Sequence, residues 1–204
     1  MSKKKKLPEG AHRASVIERI DVRIAQQVGR LRDAMPVRVA ARIAALADQP
    51  PLFAASAATL AAGLVLRRPR LARTGARMLA SEYAATLIKS ALKHRIDRTR
   101  PHKMLRDGRY AFREAQGEES DGSWSSFPSG HTAGAVASGR AIARETPAAG
   151  PVTAAAAAGV ALVQLPDAKH FASDVVAGAA IGWAAEALVE AAARILIAAG
   201  RSPD

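Results

Sequence analysis

Two stretches of this 204-residue chain, residues 52–66 and 152–165, contain no charged side chain. Pro50-Pro51 and Arg67-Arg68 bound the first stretch, and Pro166-Asp167 closes the second. The chain shows neither the polar and apolar alternation of half-buried strands nor the glycine fingerprint of a nucleotide-binding strand-to-helix turn. The sequence therefore predicts an all-α fold in which several helices present long uncharged surfaces.

Further helices are predicted where small and apolar residues run between turn-forming residues, at 71–92, 132–144 and about 173–199. The last of these contains Gly178 and Gly182, a spacing that lets two helices approach closely. The stretch 52–66 is the clearest candidate to cross a membrane, although it is shorter than the about 20 residues that a full span needs. We predict a membrane-associated bundle of about five to six helices.

The chain divides into three parts. Residues 1–12 are predicted to be a disordered basic tail, because four consecutive lysines precede a proline and a glycine. Residues 13–48 form an amphipathic helical segment, broken near Pro36, that lies at a membrane interface or packs on the bundle. Residues 49–200 form the bundle and include a long loop, 102–127, of the length that is usually functional in a compact domain.

Composition limits the partners that such a chain can have. A formal net charge of +12 suits anionic partners such as a membrane surface, a phosphorylated molecule or nucleic acid. Nucleic acid is disfavoured, because basic and aromatic residues are not interleaved and no known binding module is present. The absence of cysteine excludes a disulfide framework and a thiolate metal site.

Three short clusters combine cations, imidazoles and flexible backbone. Lys93 and Arg100 flank six residues, so that a point charge and a planar fork can meet one tetrahedral anion from two sides. In the second cluster Ser129 is a natural helix cap, Gly130 lets backbone N–H groups approach an anion, and His131 stands beside it. These two clusters predict a phosphate-binding site.

The third cluster supplies a nucleophile. His170 and Asp174 are four residues apart, a spacing that can bring the carboxylate onto the imidazole, fix its tautomer and leave the other ring nitrogen free to attack. Taken singly, the clusters also fit a helix cap, a surface ion pair and a solvated basic segment. Their common order along the chain is much harder to obtain by accident.

In order and spacing, over roughly residues 50–200, the clusters resemble those of the type 2 phosphatidic acid phosphatase superfamily. That pattern reads Lys-x6-Arg-Pro, Pro-Ser-Gly-His and Ser-Arg-x5-His-x3-Asp. The resemblance implies a cofactor-free phosphatase in which His170 forms a phosphohistidine, Asp174 orients it and His131 protonates the leaving oxygen. It assigns phosphate binding to Lys93, Arg100, Ser129 and the Gly130 amide.

One position departs from that pattern. Gln164, preceded by Val163, stands where the family has arginine preceded by serine. Gln164 can still donate a hydrogen bond to phosphate but brings no charge, and loss of one such contact commonly costs about 10²–10³ in rate. Lys169, Arg95 and Arg98 are the candidates to replace the charge. The alternative to an active enzyme is a degenerate member that binds lipid phosphate with little or no turnover.

The resemblance also implies a substrate and a location. The expected substrate is a lipid phosphate or diphosphate of the phosphatidate, phosphatidylglycerol phosphate or polyprenyl diphosphate type. The Arg-rich end opposite the clusters favours a multi-pass protein, in a bacterial inner membrane, with its site on the non-cytoplasmic side. Two other classes stay open: a vanadium haloperoxidase and a soluble acid phosphatase.

Overall fold

The computed structural model describes residues 6–114, 122 and 124–200, and in that part of the chain it is almost entirely helical. Its eight α-helices are α1 (Val16–Val28), α2 (Met35–Ala44), α3 (Gln49–Val65), α4 (Pro69–Lys93), α5 (Pro101–Asp107), α6 (Gly130–Glu145), α7 (Gly150–Val163) and α8 (Ala172–Ala199). Two three-residue strands, β1 (Ile96–Arg98) and β2 (Phe112–Glu114), pair antiparallel. The all-α prediction is confirmed.

Five helices form the bundle. α4, α6 and α8 pack against one another at its centre, α3 packs on α4, and α7 packs on α6. The central core consists mainly of small side chains, among them Ala85, Ala133, Ala137 and Ala185. Small residues let the helix backbones come close together, so the bundle is tightly packed although it contains few aromatic residues.

Two glycines of α8 allow a close approach to α6. A Cβ atom built on Gly178 would lie closer than 3.0 Å to the carbonyl oxygen of Ser129, and one built on Gly182 equally close to that of Ala133. The backbones of α8 and α6 are therefore in direct contact. This contact holds the beginnings of both helices at the same end of the bundle.

A buried carboxylate connects three helices in the interior. Glu82 of α4 accepts hydrogen bonds from Ser56 of α3, at 2.7 Å, and from Ser138 of α6, at 2.5 Å. Glu82 is almost wholly buried. This acidic side chain of α4 therefore faces protein, where it finds the hydrogen-bond partners that a buried polar group needs.

Within the described residues, α8 is the helix that is long and apolar enough to cross a membrane, with 28 residues. The helix that the sequence favoured, α3, is apolar but has 17 residues. At 1.5 Å per residue it reaches about 25 Å, somewhat less than the roughly 30 Å of a hydrocarbon core.

The predicted disordered tail was placed too far along the chain. Residues 1–5 lie outside the described residues, but the chain is fixed to the bundle from Glu9 onward. The backbone N–H of Glu9 donates to the carbonyl of Gly108, and the carbonyl of Glu9 accepts from the N–H of Tyr110, each at 2.8 Å. Ala11 is fully buried in a cluster with Tyr110 and Phe171. A left-handed Gly10, with φ 85°, makes the turn that inserts Ala11.

The amphipathic segment breaks earlier than the predicted break near Pro36. Ser15 and Glu18 form a capping box that starts α1, the chain turns after Val28, and Pro36 lies in the first turn of α2, where its missing N–H is tolerated. α1 buries Asp21 against the bundle, while Ile17 and Ile20 are exposed.

The segment 102–127 is not the continuous loop that the sequence predicted. It contains most of α5 and all of β2. Pro101 occupies the first turn of α5, and Gly108 ends the helix in the left-handed region at φ 69°. Glycine is typical of loops, but here Gly108 and Pro101 mark the two ends of a short helix. Residues 115–121 and 123 lie outside the described residues.

Candidate active site

The three sequence clusters meet at one end of the bundle. Lys93 is the last residue of α4, Arg100 directly precedes α5, His131 is in the first turn of α6, and His170 is in the connection between α7 and α8. The centroids of the two imidazole rings are 6.3 Å apart. Residues that are up to 77 positions apart in the chain therefore surround one space.

That space is a cavity of about 210 Å³. Its polar wall is formed by the following residues: Asp48, Gln49, Glu82, Thr86, Lys89, Lys93, Arg100, Gly130, His131 and His170. A second, apolar wall comes from the start of α3 and includes Pro50, Leu52 and Phe53. The cavity thus joins a cationic end to a hydrophobic side, an arrangement that suits an amphiphilic anion.

A backbone carbonyl fixes the tautomer of His170. The Nδ1 atom of His170 lies 2.6 Å from the carbonyl oxygen of Ser126. A carbonyl can only accept a hydrogen bond, so Nδ1 carries the proton and Nε2 keeps its lone pair. Burial, together with the positive charges of Arg100 and Lys93, holds the pKa of His170 well below its usual value. The ring is therefore neutral at physiological pH, as a nucleophile must be.

Asp174 does not hold His170 directly, contrary to the expectation from their spacing. The nearest atoms, Nδ1 and Oδ2, are 3.9 Å apart. Oδ2 instead accepts hydrogen bonds from the Ser126 hydroxyl, at 2.6 Å, and from the backbone N–H of Phe171, at 2.8 Å. Ser126 therefore stands between the carboxylate and the imidazole, bound to both.

Lys93 and Arg100, the two cations predicted to bind phosphate, differ in their hydrogen bonding. Lys93 donates from Nζ to the carbonyl oxygen of Ser125 at 3.0 Å, which holds the ammonium group at the cavity. The Nε of Arg100 is buried and has no hydrogen-bond partner among the described residues. A buried guanidinium donor without a partner is costly unless an anion arrives to accept from it.

The second cluster contributes backbone and shape. The Ser129 hydroxyl accepts from the N–H of Thr132 and so caps α6, while the Ser129 N–H donates to the carbonyl of Asp174 at 3.0 Å. Ser129 is fully buried and does not line the cavity, whereas Gly130 does. Gly130 thus places the N-terminus of α6, with its free N–H groups, at the anion.

Gln164 does not reach the cavity. Its Nε2 donates back to the carbonyl of Val160 on its own helix, at 3.1 Å, and its Oε1 is buried without a partner among the described residues. Lys169 pairs with Asp167 at 2.9 Å, and Arg95 is exposed. The third predicted substitute, Arg98, is buried between Asp21 and Asp174. None of the three lines the cavity, so the expected substitutes for the missing arginine are not positioned to act.

Lys89 is a cation that sequence reasoning missed. It lines the cavity, passes over Gly130 and donates to the Gln49 side chain at 3.0 Å. Lys89 precedes Lys93 by four residues on the same helix, a spacing that puts both ammonium groups on one face. That spacing was the available signal in the sequence.

Asp48 is the second residue that sequence reasoning missed. Its Oδ1 lies 2.8 Å from Nε2 of His131, at ion-pair distance although not aligned as a hydrogen bond. A nearby carboxylate favours the protonated form of an imidazole. Burial is the largest effect and lowers the pKa of His131, while Asp48 opposes that shift. Across the cavity from His170, His131 therefore has one neighbour that favours its protonated form. No group of three or more His, Asp or Glu side chains suited to a metal ion occurs in the described ranges.

A helical bundle that presents two imidazoles, three cations and a helix N-terminus to one cavity defines a phosphate-handling protein. The model of the PAP2 superfamily matches residues 74–194, which include all three clusters. The chain belongs to the PAP2 superfamily.

A solved structure supports the fold independently. The chain is similar to the crystal structure described as the first transmembrane PAP2 type phosphatidylglycerolphosphate phosphatase from Bacillus subtilis, with a TM-score of 0.65 and 19% sequence identity. The similarity covers 90% of this chain and 89% of the other. No curated protein was found to match the chain.

Proposed function

We propose that the protein is a membrane lipid phosphatase that acts through a phosphohistidine. The observation that carries this proposal is the state of His170: Nδ1 is committed to the Ser126 carbonyl, so the free Nε2 is available on the cavity side, opposite His131. Membership of the PAP2 superfamily supports the class of reaction. The roles of individual residues are part of the proposal.

The reaction has two steps. Nε2 of His170 attacks phosphorus in line, so that a P–N bond forms as the P–O bond to the lipid alcohol breaks, and His131 gives its proton to the departing oxygen. His131, now neutral, then takes a proton from water, whose oxygen attacks the phosphohistidine and releases inorganic phosphate. Lys89, Lys93 and Arg100 stabilise the charge on the phosphoryl oxygens. Neither step requires a metal ion.

The substrate is proposed to be an amphiphile with a phosphate or diphosphate headgroup. The apolar wall of the cavity, at the start of α3, and the long apolar helix α8 support a substrate and an enzyme that share a bilayer. Phosphatidylglycerol phosphate is the first substrate to test, since the similar solved structure is described as a phosphatase for it. Phosphatidate and polyprenyl diphosphates complete the panel.

The deciding experiment is phosphate release by purified protein from these lipids in detergent, with and without EDTA. We expect turnover that survives EDTA and is abolished in His170→Ala, with a phosphoenzyme trapped by a rapid denaturing quench at alkaline pH, where a P–N bond survives, in the wild type alone. Turnover that EDTA removes, or that His170→Ala retains, would refute the mechanism.

The alternative function, phosphate binding with little turnover, has one observation in its favour. Gln164 is buried and points back to its own helix, so it offers nothing to the phosphoryl group. Binding of a lipid phosphate, measured by calorimetry, without release of phosphate would establish this alternative.

A further inference from the structure

α1 contributes a carboxylate to the back of the proposed catalytic centre. Asp21 is 2% exposed and points into the bundle, although α1 lies in the segment that precedes the part matched by the family model. Its Oδ2 accepts from Nη2 of Arg98 at 2.8 Å, and its Oδ1 accepts from the backbone N–H of Ser173 at 3.1 Å. The Ser173 hydroxyl also donates to Asp21.

Arg98 carries this contact to Asp174. The Nη1 of Arg98 donates to Oδ1 of Asp174 at 2.5 Å and to the Ser173 hydroxyl at 2.7 Å. Arg98 is only 1% exposed, and its guanidinium group stacks on Phe171, 4.3 Å from the ring centroid. Although burial alone would lower the pKa of Arg98, the two carboxylates raise it, so Arg98 remains charged.

The chain of contacts ends at the nucleophile. The other oxygen of Asp174 accepts from the Ser126 hydroxyl, and the Ser126 carbonyl accepts from Nδ1 of His170. Asp21 is thus connected to His170 through three intermediate residues, each of them buried. Removal of Asp21 would leave Arg98 with one carboxylate in place of two.

Charge balance gives this connection a consequence for the reaction. A buried cluster of one guanidinium and two carboxylates has a net charge of −1. Because Arg98 is paired with Asp21 as well as with Asp174, it offsets the charge of Asp174 only in part. A partial negative charge therefore stays close to His170. That charge stabilises the positive charge that develops on the imidazole when Nε2 bonds to phosphorus.

We propose that Asp21 is a positioning residue for His170, acting through Arg98 and Ser173 on Asp174 and Ser126, so that the N-terminal helix is part of the catalytic centre. This inference rests on the proposed function of His170 as the nucleophile. The groups that face His170 are Asp174 and Ser126 behind the ring, and Arg100, Lys93 and His131 on its cavity side. None of these is changed by a substitution at position 21.

The test compares Asp21→Asn with Asp33→Asn, the same chemical change at an exposed position between α1 and α2. We expect Asp21→Asn to lower kcat at least tenfold with KM little changed, since the phosphate-binding cations are untouched. The acidic limb of the kcat profile should move to lower pH, because a nearby negative charge has been lost. Asp33→Asn should behave as wild type, and Asp21→Glu should recover part of kcat.

A readout without turnover separates this inference from the proposed function. In protein labelled with 15N-histidine, the His170 resonances, assigned with His170→Gln, should shift in Asp21→Asn and stay in place in Asp33→Asn. If they do not shift, or if kcat is unchanged, Asp21 has no positioning role. If they shift while the wild type releases no phosphate from any lipid, the proposed function fails and the positioning of His170 stands.

Should Asp21→Asn not fold, Ser173→Ala is the second variant. It keeps all three charges and removes only the hydroxyl that both Asp21 and Arg98 contact. We expect a smaller shift of the His170 resonances and a smaller loss of kcat, both in the same direction. A Ser173→Ala protein that matches the wild type in both measurements would overturn the connection.

Discussion

Lys89 brings to the cavity a positive charge that Gln164 does not supply. We predict that Lys89→Met lowers kcat/KM by about 10²-fold, the usual cost of one charged contact in the transition state. Lys169→Met is the matched control, because that ammonium group pairs with Asp167 and does not line the cavity, so its loss should change kcat/KM little. The opposite ranking of the two variants would restore Lys169 as the substitute for arginine.

A second substitution tests whether the two positions serve the same role. If the loss in Lys89→Met is a loss of charge, Gln164→Arg should recover about tenfold in that background, because the family pattern has arginine at this position. The buried Oε1 of Gln164, which has no partner among the described residues, means that the replacement breaks no hydrogen bond at that atom. Failure to recover any activity would indicate that a side chain at position 164 does not reach phosphate in this chain.

His170 also affects stability. Its pKa in the folded protein is well below the roughly 6.5 of an unfolded chain, so the unfolded state binds the proton first as pH falls. The contribution of His170 to the free energy of unfolding is complete above about pH 6.5. It is lost below that pH, at up to about 1.4 kcal/mol per pH unit. We expect the melting temperature to fall more steeply between pH 7 and pH 5 for the wild type than for His170→Gln. Equal slopes would contradict the neutral, buried imidazole.

At the scale of elements, the contact between α6 and α8 positions the second and third clusters. Gly178→Ala would push a methyl group into the Ser129 carbonyl and separate the two helices, at a cost of about 1–3 kcal/mol. Gly159→Ala on α7 is the control, because a Cβ there meets nothing within 4 Å and alanine favours a helix by about 1 kcal/mol. The melting temperature and the rate of phosphate release should both fall in Gly178→Ala. Neither should fall in Gly159→Ala.

The bundle helices were largely predictable from the sequence, because uncharged and small-residue runs end at proline, glycine or arginine. α5 was not, since its seven residues are too few to show a period. The contact between His170 and Asp174 was predicted wrongly for a local reason. α8 begins at Ala172, so His170 lies before the helix and the i,i+4 geometry does not apply, while Asp174 binds the N–H of Phe171.

Contacts between distant segments account for the rest of the site. Ser126, Asp21 and Asp48 carry no motif, and each reaches its partner only when separate helices pack together. By contrast, Lys93, Arg100, His131 and His170 could be named from spacing, because the chemistry of phosphate requires those residue types. A sequence pattern therefore identifies groups that line the cavity more readily than groups that hold them in place.

At the scale of the whole molecule, the two ends of the bundle differ in how their basic residues are used. At the site end, Lys93 and Arg100 line the cavity and Arg98 is buried between two carboxylates, so these cations face inward. At the opposite end, Arg67, Arg68 and Arg70 are exposed in the connection between α3 and α4. Exposed arginines also lie at the site end, among them Arg95 and Arg106, so the non-cytoplasmic site stays a prediction that has to be tested by labelling.

Because the chain has no cysteine, single cysteines can test this orientation without background labelling. Arg106→Cys marks the exposed end of α5 on the site side, and Ala148→Cys marks the turn between α6 and α7 at the opposite end. We expect a membrane-impermeant maleimide to label Arg106→Cys in intact cells and Ala148→Cys only after permeabilisation. The reverse pattern would place the site in the cytoplasm, and labelling of both in intact cells would mean that the bundle does not cross the membrane between them.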